Sequence, residues 1–218
     1  MSRPKVGYKV DGVKVPGVTS ILSRFKDSGG LIFWAWQQGA DGKDFRETKG
    51  KAADAGTLAH DLVEADLYGA EVDLSAYDLE TVARAQGAFA AYKEWKSQTH
   101  LEVVETETPL TSKVHMFGGT PDAMAVKGSL SLLDWKTSNS VYADYLLQLA
   151  AYQILWEENH PDRPITGGFH LLRFSKQEDP SDPVAFSHHY WSQLDVAKEQ
   201  FLHLLEAYKL DKRIKALV

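Results

Sequence analysis

Apolar residues recur every three or four positions in four long stretches of the chain, and this period is typical of helices that bury one face. In the second of these stretches, Val82, Ala85 and Phe89 follow the spacing. The pattern predicts long helices over residues 51–67, 79–98, 141–159 and 194–217.

Apolar and polar residues alternate in most of the remaining chain, which is the pattern of half-buried strands. Residues 8–15 alternate around Asp11-Gly12, a sequence that favours a hairpin turn. Residues 118–138 are predicted to form a turn at Gly118-Gly119, then a strand, a turn at Lys127-Gly128 and a second strand. Further strands are predicted over residues 101–109, 112–117, 165–174 and 184–191.

The order of the predicted elements indicates the fold class. Helices come first, several strands then follow one another directly, and a helix, two strands and a helix complete the chain. Strands that run together favour an α+β fold with a central mixed β-sheet flanked by helices. We expect a single domain over residues 1–218, with an N-terminal hairpin and helical extension in residues 1–50 and the core in residues 51–218.

Three aromatic residues stand close together in residues 31–40, namely Phe33, Trp34 and Trp36. Such side chains most often belong to a hydrophobic core, so we expect them to be buried. The alternative is that they stack on unpaired nucleic-acid bases.

Composition narrows the classes of protein and of functional site that the chain can represent. The chain has 218 residues, of which 44% are hydrophobic, so a packed core is expected. It contains no cysteine, which excludes disulfides and cysteine-ligated iron–sulfur clusters and is compatible with a cytoplasmic location. No signal peptide or membrane-spanning apolar run is visible. The formal net charge of −6 argues against a large phosphate-binding surface, so any DNA contact must come from local patches.

Three charged residues within residues 118–138 are predicted to meet at one place. Asp134 and Lys136 are two positions apart on a strand, so their side chains point to the same face. Antiparallel pairing with the preceding strand brings Asp122 to the same place. Two neighbouring carboxylates repel each other unless a cation lies between them, and Mg²⁺ suits such a site. The lysine could orient or deprotonate a water molecule or stabilise charge on a phosphate; alternatively, Asp-x-Lys is an ordinary strand sequence.

Gly56 and His60 share one face of the helix predicted over residues 51–67. The glycine permits another backbone to approach closely, and the imidazole could reach a metal ion. Because a histidine on a helix is more often a packed or surface residue, its interpretation as a metal ligand depends on its neighbours.

Four short motifs, taken in order, make the chain similar to a known family. They lie at Gly56 to His60, Gly119 to Asp122, Asp134 to Lys136 and Gln148 to Tyr152. These segments resemble the Gly-x-x-x-His, Gly-x-x-Asp, Asp-x-Lys and Gln-x-x-x-Tyr motifs of the PD-(D/E)xK nuclease superfamily, in its RecB-like branch. The Asp-Trp-Lys-Thr-Ser sequence and an early Val-Thr-x-Ile-Leu segment are also similar to the mitochondrial genome maintenance exonuclease family and to phage exonucleases.

The resemblance implies a restriction-endonuclease-like core that hydrolyses phosphodiester bonds with Mg²⁺ or Mn²⁺ and has no iron–sulfur cluster. It implies that His60, Asp122 and Asp134 are metal ligands, together with the main-chain carbonyl of Trp135. Lys136 would position and activate the attacking water.

The resemblance also implies roles for residues around these ligands. Gln148 and Tyr152 would brace the site or contact the DNA backbone. Glu107 is a possible further acidic ligand, although the histidine is preferred because its motif is complete. Thr137 and Ser138 could donate hydrogen bonds to a phosphate or only end the strand.

The function that the resemblance implies is a metal-dependent exonuclease acting on single-stranded DNA or DNA ends in phage or bacterial recombination, repair or replication. The expected partners are DNA and a recombinase or single-strand-binding protein, with no membrane. The alternatives are a structure-specific or nicking endonuclease and an inactive nuclease fold that binds DNA or a recombinase. The presence of Asp122, Asp134 and Lys136 argues against the inactive form, since binding alone gives no reason to keep two like charges beside a lysine.

Overall fold

The computed structural model of the protein describes residues 7–26, 29–174 and 186–217. A hairpin and four helices come first: β1 (Lys9–Val10), β2 (Val13–Lys14), α1 (Val18–Phe25), α2 (Gly29–Ala40), α3 (Phe45–Tyr68) and α4 (Leu79–Gln98). Five strands follow: β3 (Glu102–Thr106), β4 (Leu110–Ser112), β5 (Phe117–Gly119), β6 (Ala123–Val126) and β7 (Leu130–Thr137). The remaining elements are α5 (Ala143–Asn159), β8 (Phe169–Phe174), β9 (Phe186–Trp191) and α6 (Asp195–Lys215).

Five strands form the central sheet in the order β3-β6-β7-β8-β9. The sheet is mixed, because β7 and β8 run parallel and the other neighbouring strands run antiparallel. One face packs on α1, α5 and α6 through a buried cluster that includes Ile21, Leu149 and Phe201. The opposite face packs on α3 and α4 through a second cluster that includes Leu58 and Ala85. The predicted α+β fold, with a mixed sheet flanked by helices, is confirmed.

Local sequence explains where several elements begin and end. Asp11 and Gly12 have φ angles of 47° and 82°, which a two-residue hairpin turn requires. The side chain of Asp44 accepts a hydrogen bond from the backbone N–H of Arg46, so α3 begins well before the predicted start at residue 51. Gly69, with φ of 66°, ends this helix in the left-handed conformation.

The C-terminal part follows the predicted order of two strands and a helix. Residues 184 and 185 of the strand predicted over residues 184–191 lie outside the described residues, and β9 covers the rest of it. Within the part of the chain that the structure describes, no helix is both long and apolar enough to cross a membrane.

The strand predicted over residues 112–117 is wrong. Ser112 ends β4, residues 113–116 form the turn, and Phe117 begins β5 and pairs with Ser112. Met116 within the turn has a positive φ of 58°. The apolar residues of this segment suggested a strand because their alternation continues across the turn. The alternation of apolar and polar residues does not by itself distinguish a strand from a short hairpin turn when the turn carries apolar side chains.

Gly118 and Gly119, predicted as a turn, form part of β5 instead. Both glycines lie against neighbours that a larger residue would displace. A Cβ atom on Gly119 would lie 2.8 Å from Cε1 of Tyr152, and one on Gly118 would overlap the ring of Tyr8. The glycines therefore let β5 approach α5 and the N-terminal segment closely.

The prediction that the aromatic residues of α2 are buried is wrong for two of them. Phe33 is 59% exposed and Trp36 is 66% exposed, whereas Trp34 is half-buried. The rings of Phe33 and Trp36 stack on each other, with centroids 5.9 Å apart and an interplanar angle of 30°. Residues three apart share a helix face, so α2 presents one exposed aromatic face, defined by Phe33 and Trp36.

Gly118→Ala is expected to lower the free energy of unfolding by about 1–3 kcal/mol, because the added methyl group overlaps the Tyr8 ring. Movement of the ring would also weaken the hydrogen bond of 2.8 Å between the hydroxyls of Tyr8 and Thr120. Urea unfolding measures the change.

Gly56→Ala is the matched control for this substitution. Apart from its chain neighbours and the nearby backbone of α3, no atom of the described residues lies within 4 Å of the methyl group it adds. Alanine also favours a helix interior by up to about 1 kcal/mol. Equal stability of wild type and Gly118→Ala would contradict the role given to close packing of β5.

Candidate active site

Asp122 and Asp134 lie opposite each other on the antiparallel pair β6 and β7. Ala123 pairs with Leu133, so the residue before Ala123 meets the residue after Leu133. Both carboxylates are buried, with exposed fractions of 6% for Asp122 and 0% for Asp134. Oδ2 of Asp122 accepts a hydrogen bond of 2.9 Å from the backbone N–H of Trp135, which ties this carboxylate to β7.

Lys136 extends from the same face of β7 as Asp134. Its Nζ atom lies 2.5 Å from Oδ2 of Asp134, and its side chain is 15% exposed. The same Nζ atom lies 5.6 Å from the centre of the Tyr145 ring on α5. The ammonium group is therefore held between a buried carboxylate and an aromatic ring.

One oxygen of the buried Asp134 carboxylate lies apart from the Lys136 ammonium and lacks a hydrogen-bond donor in the described part of the chain. No donor among the residues that the structure describes bonds its Oδ1 atom. Burial raises the pKa of Asp134 above its ordinary value; the charge of Lys136 opposes this rise and the charge of Asp122 adds to it. A cation between the two carboxylates would remove the cost of burying them.

His60 reaches this place from α3. Its Nδ1 atom lies 3.9 Å from Oδ2 of Asp122, and its side chain is 23% exposed. His60 also lines a small cavity with Trp135 and Thr137, on the face of β7 that packs on α3 and α4. Thr137 therefore points away from the face that carries Lys136, as alternation along a strand requires.

The donors gathered here fit a hard divalent cation. Within residues 7–26, 29–174 and 186–217, no group of three or more histidine, aspartate or glutamate side chains forms a ready-made metal site. Two carboxylates and an imidazole are nevertheless adjacent, and Oδ1 of Asp134 has no donor. Mg²⁺ needs only one or two protein carboxylates, because water and phosphate oxygens complete its coordination.

Gln148 and Tyr152 lie on α5, which packs on the face of the sheet that carries Asp134 and Lys136. Nε2 of Gln148 donates a hydrogen bond of 2.7 Å to the hydroxyl of Tyr152, and both side chains are buried. The Tyr152 ring packs against Gly119, just before Asp122 in the chain. The contacts of this pair support the segment that carries Asp122.

Two further residues singled out from the sequence lie at the margins of the site. Ser138 is buried, and its hydroxyl donates a hydrogen bond of 2.8 Å to the backbone oxygen of Ser140 where β7 ends. The backbone N–H of Glu107 donates a hydrogen bond of 3.1 Å to the backbone oxygen of Asp122. Glu107 therefore lies beside Asp122, and the Ser138 hydroxyl is engaged within the protein.

Tyr145 is a residue of the site that the motifs do not indicate. Its ring lies beside Lys136, yet no short sequence pattern includes it. It precedes Gln148 by about one helical turn, so both residues lie on the same side of α5. This spacing is the signal that could have identified it.

Several solved structures are similar to parts of the chain. A candidate exonuclease from Eubacterium rectale aligns at 14% identity and a TM-score of 0.46, covering 70% of this chain and 64% of that protein. An alkaline exonuclease from Laribacter hongkongensis aligns at 14% identity and a TM-score of 0.33, covering 77% of this chain and 92% of that protein. This chain thus spans just under two thirds of the length of the first protein. A search of curated proteins finds no match to the chain.

The family model of the PD-(D/E)XK nuclease superfamily matches residues 32–215. The match covers most of the chain, includes all four motifs and confirms the resemblance that they indicated. The chain belongs to the PD-(D/E)XK nuclease superfamily.

Proposed function

We propose that the protein is a metal-dependent DNA exonuclease that acts on single strands or DNA ends. The convergence of Asp122, Asp134 and Lys136, in a chain of a nuclease superfamily, is the observation that carries the proposal. The donors available to Mg²⁺ or Mn²⁺ are Asp122, Asp134, His60 and the carbonyl of Trp135. When bound, the ion supplies charge neutralisation at the phosphate and lowers the pKa of a bound water.

The protein's own residues prepare the reaction around this ion. Lys136 orients the attacking water and stabilises the negative charge that develops on the phosphate. Its ammonium group is already held by Asp134 and by the ring of Tyr145, so little reorganisation is needed during the reaction. Gln148 and Tyr152 keep the segment that carries Asp122 in place through the packing of the Tyr152 ring against Gly119.

The setting we propose is recombination, repair or replication of phage or bacterial DNA in the cytoplasm, with a recombinase or single-strand-binding protein as partner. The absence of cysteine is compatible with a reducing compartment. The similarity of the Asp-Trp-Lys-Thr-Ser sequence to exonuclease families is the reason for preferring an exonuclease to an endonuclease.

Digestion of end-labelled linear and circular DNA, with Mg²⁺ and with EDTA, tests this proposal. An exonuclease releases short products from linear DNA only when the metal is present, and it leaves circles intact. Cleavage of circles would instead identify an endonuclease. Retention of DNA without cleavage under any metal would identify a binding protein.

The preference for single strands is supported by the exposed aromatic face of α2. α2 begins shortly after Lys26, whose Nζ atom lies 3.5 Å from Oδ2 of Asp144 at the start of α5. Asp144 is adjacent in sequence to Tyr145, whose ring lies near Lys136, so the chain that leads toward α2 passes close to the start of α5. Exposed, stacked rings are suited to unpaired bases, whose faces are covered in a duplex.

Trp36→Ala is expected to weaken binding of single-stranded DNA by about 1–3 kcal/mol, the usual contribution of one stacked base, and to leave duplex binding nearly unchanged. Stability should change little, because Trp36 is largely exposed. Fluorescence anisotropy with labelled strands measures both affinities. Leu79→Ala, which removes an exposed apolar side chain at the start of α4, is the control. An equal loss of affinity for single-stranded DNA with both variants, or no loss with Trp36→Ala, would contradict a role of the aromatic face in DNA binding.

A further inference from the structure

Arg173 lies beside the catalytic lysine, although no motif includes it. β7 and β8 run parallel with Lys136 paired to Arg173, so the two cationic side chains stand on neighbouring strands. Paired residues of adjacent strands point to the same face of a sheet. Arg173 therefore shares the face that carries Asp134 and Lys136, and it is half-buried there.

The guanidinium group is held in place by two hydrogen bonds. Its Nη1 atom donates a bond of 2.7 Å to the backbone oxygen of Ser138, and its Nε atom donates a bond of 3.0 Å to the hydroxyl of Ser187. Ser138 follows β7 directly, so the guanidinium lies at the end of the strand that presents Lys136. An arginine has five N–H donors, and among the described residues these bonds use Nη1 and Nε and leave Nη2 without an acceptor.

The charge of Arg173 is not neutralised by the described part of the protein. Across residues 7–26, 29–174 and 186–217, the structure gives Arg173 no ion pair with a carboxylate; the arginines at positions 24, 84 and 163 each have one. A partly buried cation without a counter-charge is unfavourable. An anion that enters the site from solution would supply that counter-charge.

We propose that Arg173 binds a backbone phosphate of the DNA next to the site that Asp122, Asp134 and Lys136 form. This inference rests on the proposed nuclease function and adds a residue to it. The planar guanidinium matches two phosphate oxygens, whereas the neighbouring lysine acts as a point charge. Because arginine stays protonated, Arg173 holds and orients the phosphate and takes no part in proton transfer.

This role predicts an effect on DNA binding that differs from the effect of losing Lys136. A contact that is equally strong before and during the reaction changes KM more than kcat. Arg173→Gln is therefore expected to raise KM roughly tenfold, the usual cost of one charge-assisted hydrogen bond, with a smaller change in kcat. It should also reduce the slope of log affinity against log salt by about 0.7 for single-stranded DNA, the share of one phosphate contact.

Binding of a labelled single strand at several KCl concentrations tests the proposal. The measurement compares Arg173→Gln, Arg173→Lys and Arg84→Gln, each combined with Asp134→Asn so that the DNA is not cut. Arg84 is the control, because its Nη2 atom already pairs with Oε1 of Glu80 at 2.9 Å. We expect a reduced salt slope for Arg173→Gln, a slope near that of the parent for Arg173→Lys, and an unchanged slope for Arg84→Gln.

The outcomes separate this inference from the function on which it rests. A lower melting temperature of Arg173→Gln with an unchanged salt slope would overturn the inference, since it would leave only the structural bonds to Ser138 and Ser187. If wild-type protein cleaves DNA and the slope is unchanged, only the role of Arg173 fails. If wild-type protein neither binds nor cleaves DNA, the proposed function fails first.

Discussion

Asp134→Asn is expected to reduce DNA cleavage at least about 10³-fold while raising the melting temperature of the metal-free protein. The loss of activity is expected because the variant lacks a proposed metal ligand, and a bound ion would contribute several kcal/mol to transition-state stabilisation. The gain in stability follows because a fully buried carboxylate with an unsatisfied oxygen becomes a neutral amide. The amide keeps nearly the same shape, so the core is not disturbed.

The stability difference should depend on pH in a defined direction. Folding raises the pKa of Asp134 above about 3.9, the value of an aspartate in an unfolded chain. The native protein therefore binds the proton of this carboxyl group more tightly than the unfolded chain does. Metal-free wild type should therefore lose stability as pH rises from about 4 toward the raised pKa, and Asp134→Asn should not. Thermal unfolding in EDTA at several pH values measures this.

Asp66→Asn is the matched control for both measurements. Asp66 also pairs with a lysine, since Nζ of Lys96 lies 2.6 Å from its Oδ2 atom, but the pair lies outside the site on α3 and α4. Its replacement should leave cleavage near the wild-type rate. Full activity of Asp134→Asn would contradict the assignment of Asp134 as a metal ligand.

Lys136→Met is expected to slow cleavage by about 10²–10³-fold and to leave DNA affinity nearly unchanged, because the role we propose for Lys136 is to act on the attacking water and on the charge of the transition state. Single-turnover kinetics separates this loss in the chemical step from binding. Methionine keeps the apolar length of the side chain, so its contact with Tyr145 is preserved in part.

The stability of Lys136→Met should change in the opposite direction to that of Asp134→Asn. The charge of Lys136 holds down the pKa of Asp134, so its removal leaves two buried carboxylates without their cation and lowers the melting temperature in EDTA. Added Mg²⁺ should restore stability more strongly in this variant than in wild type. Lys96→Met is the control, and it should retain activity. A fully active Lys136→Met variant would exclude the lysine from the chemical step.

The parts of the site that the sequence predicted are those set by local geometry. Alternation placed Asp134 and Lys136 on one face, and the turn at Lys127-Gly128 fixed the register that brings Asp122 opposite Asp134. A two-stranded hairpin requires no information from distant parts of the chain. The hairpin of β6 and β7 was therefore predictable from its own sequence.

The parts that were not predicted depend on distant contacts. Arg173 reaches Lys136 only because β8 pairs in parallel with β7 after the chain has passed through α5. Gly118 and Gly119 are equally suited to a turn and to close packing, and only the position of Tyr8 and α5 decides between them. The exposure of Trp36 likewise depends on what packs on α2, since an aromatic side chain is compatible with a core or a surface.

The most direct test of the metal-dependent site is digestion of one end-labelled single strand by wild type, Asp134→Asn and Asp66→Asn, each with Mg²⁺ and with EDTA. The site described above predicts short products from wild type and Asp66→Asn with Mg²⁺, and none from Asp134→Asn or from any protein in EDTA. Cleavage by folded Asp134→Asn at the wild-type rate, or by wild type in EDTA, would contradict it.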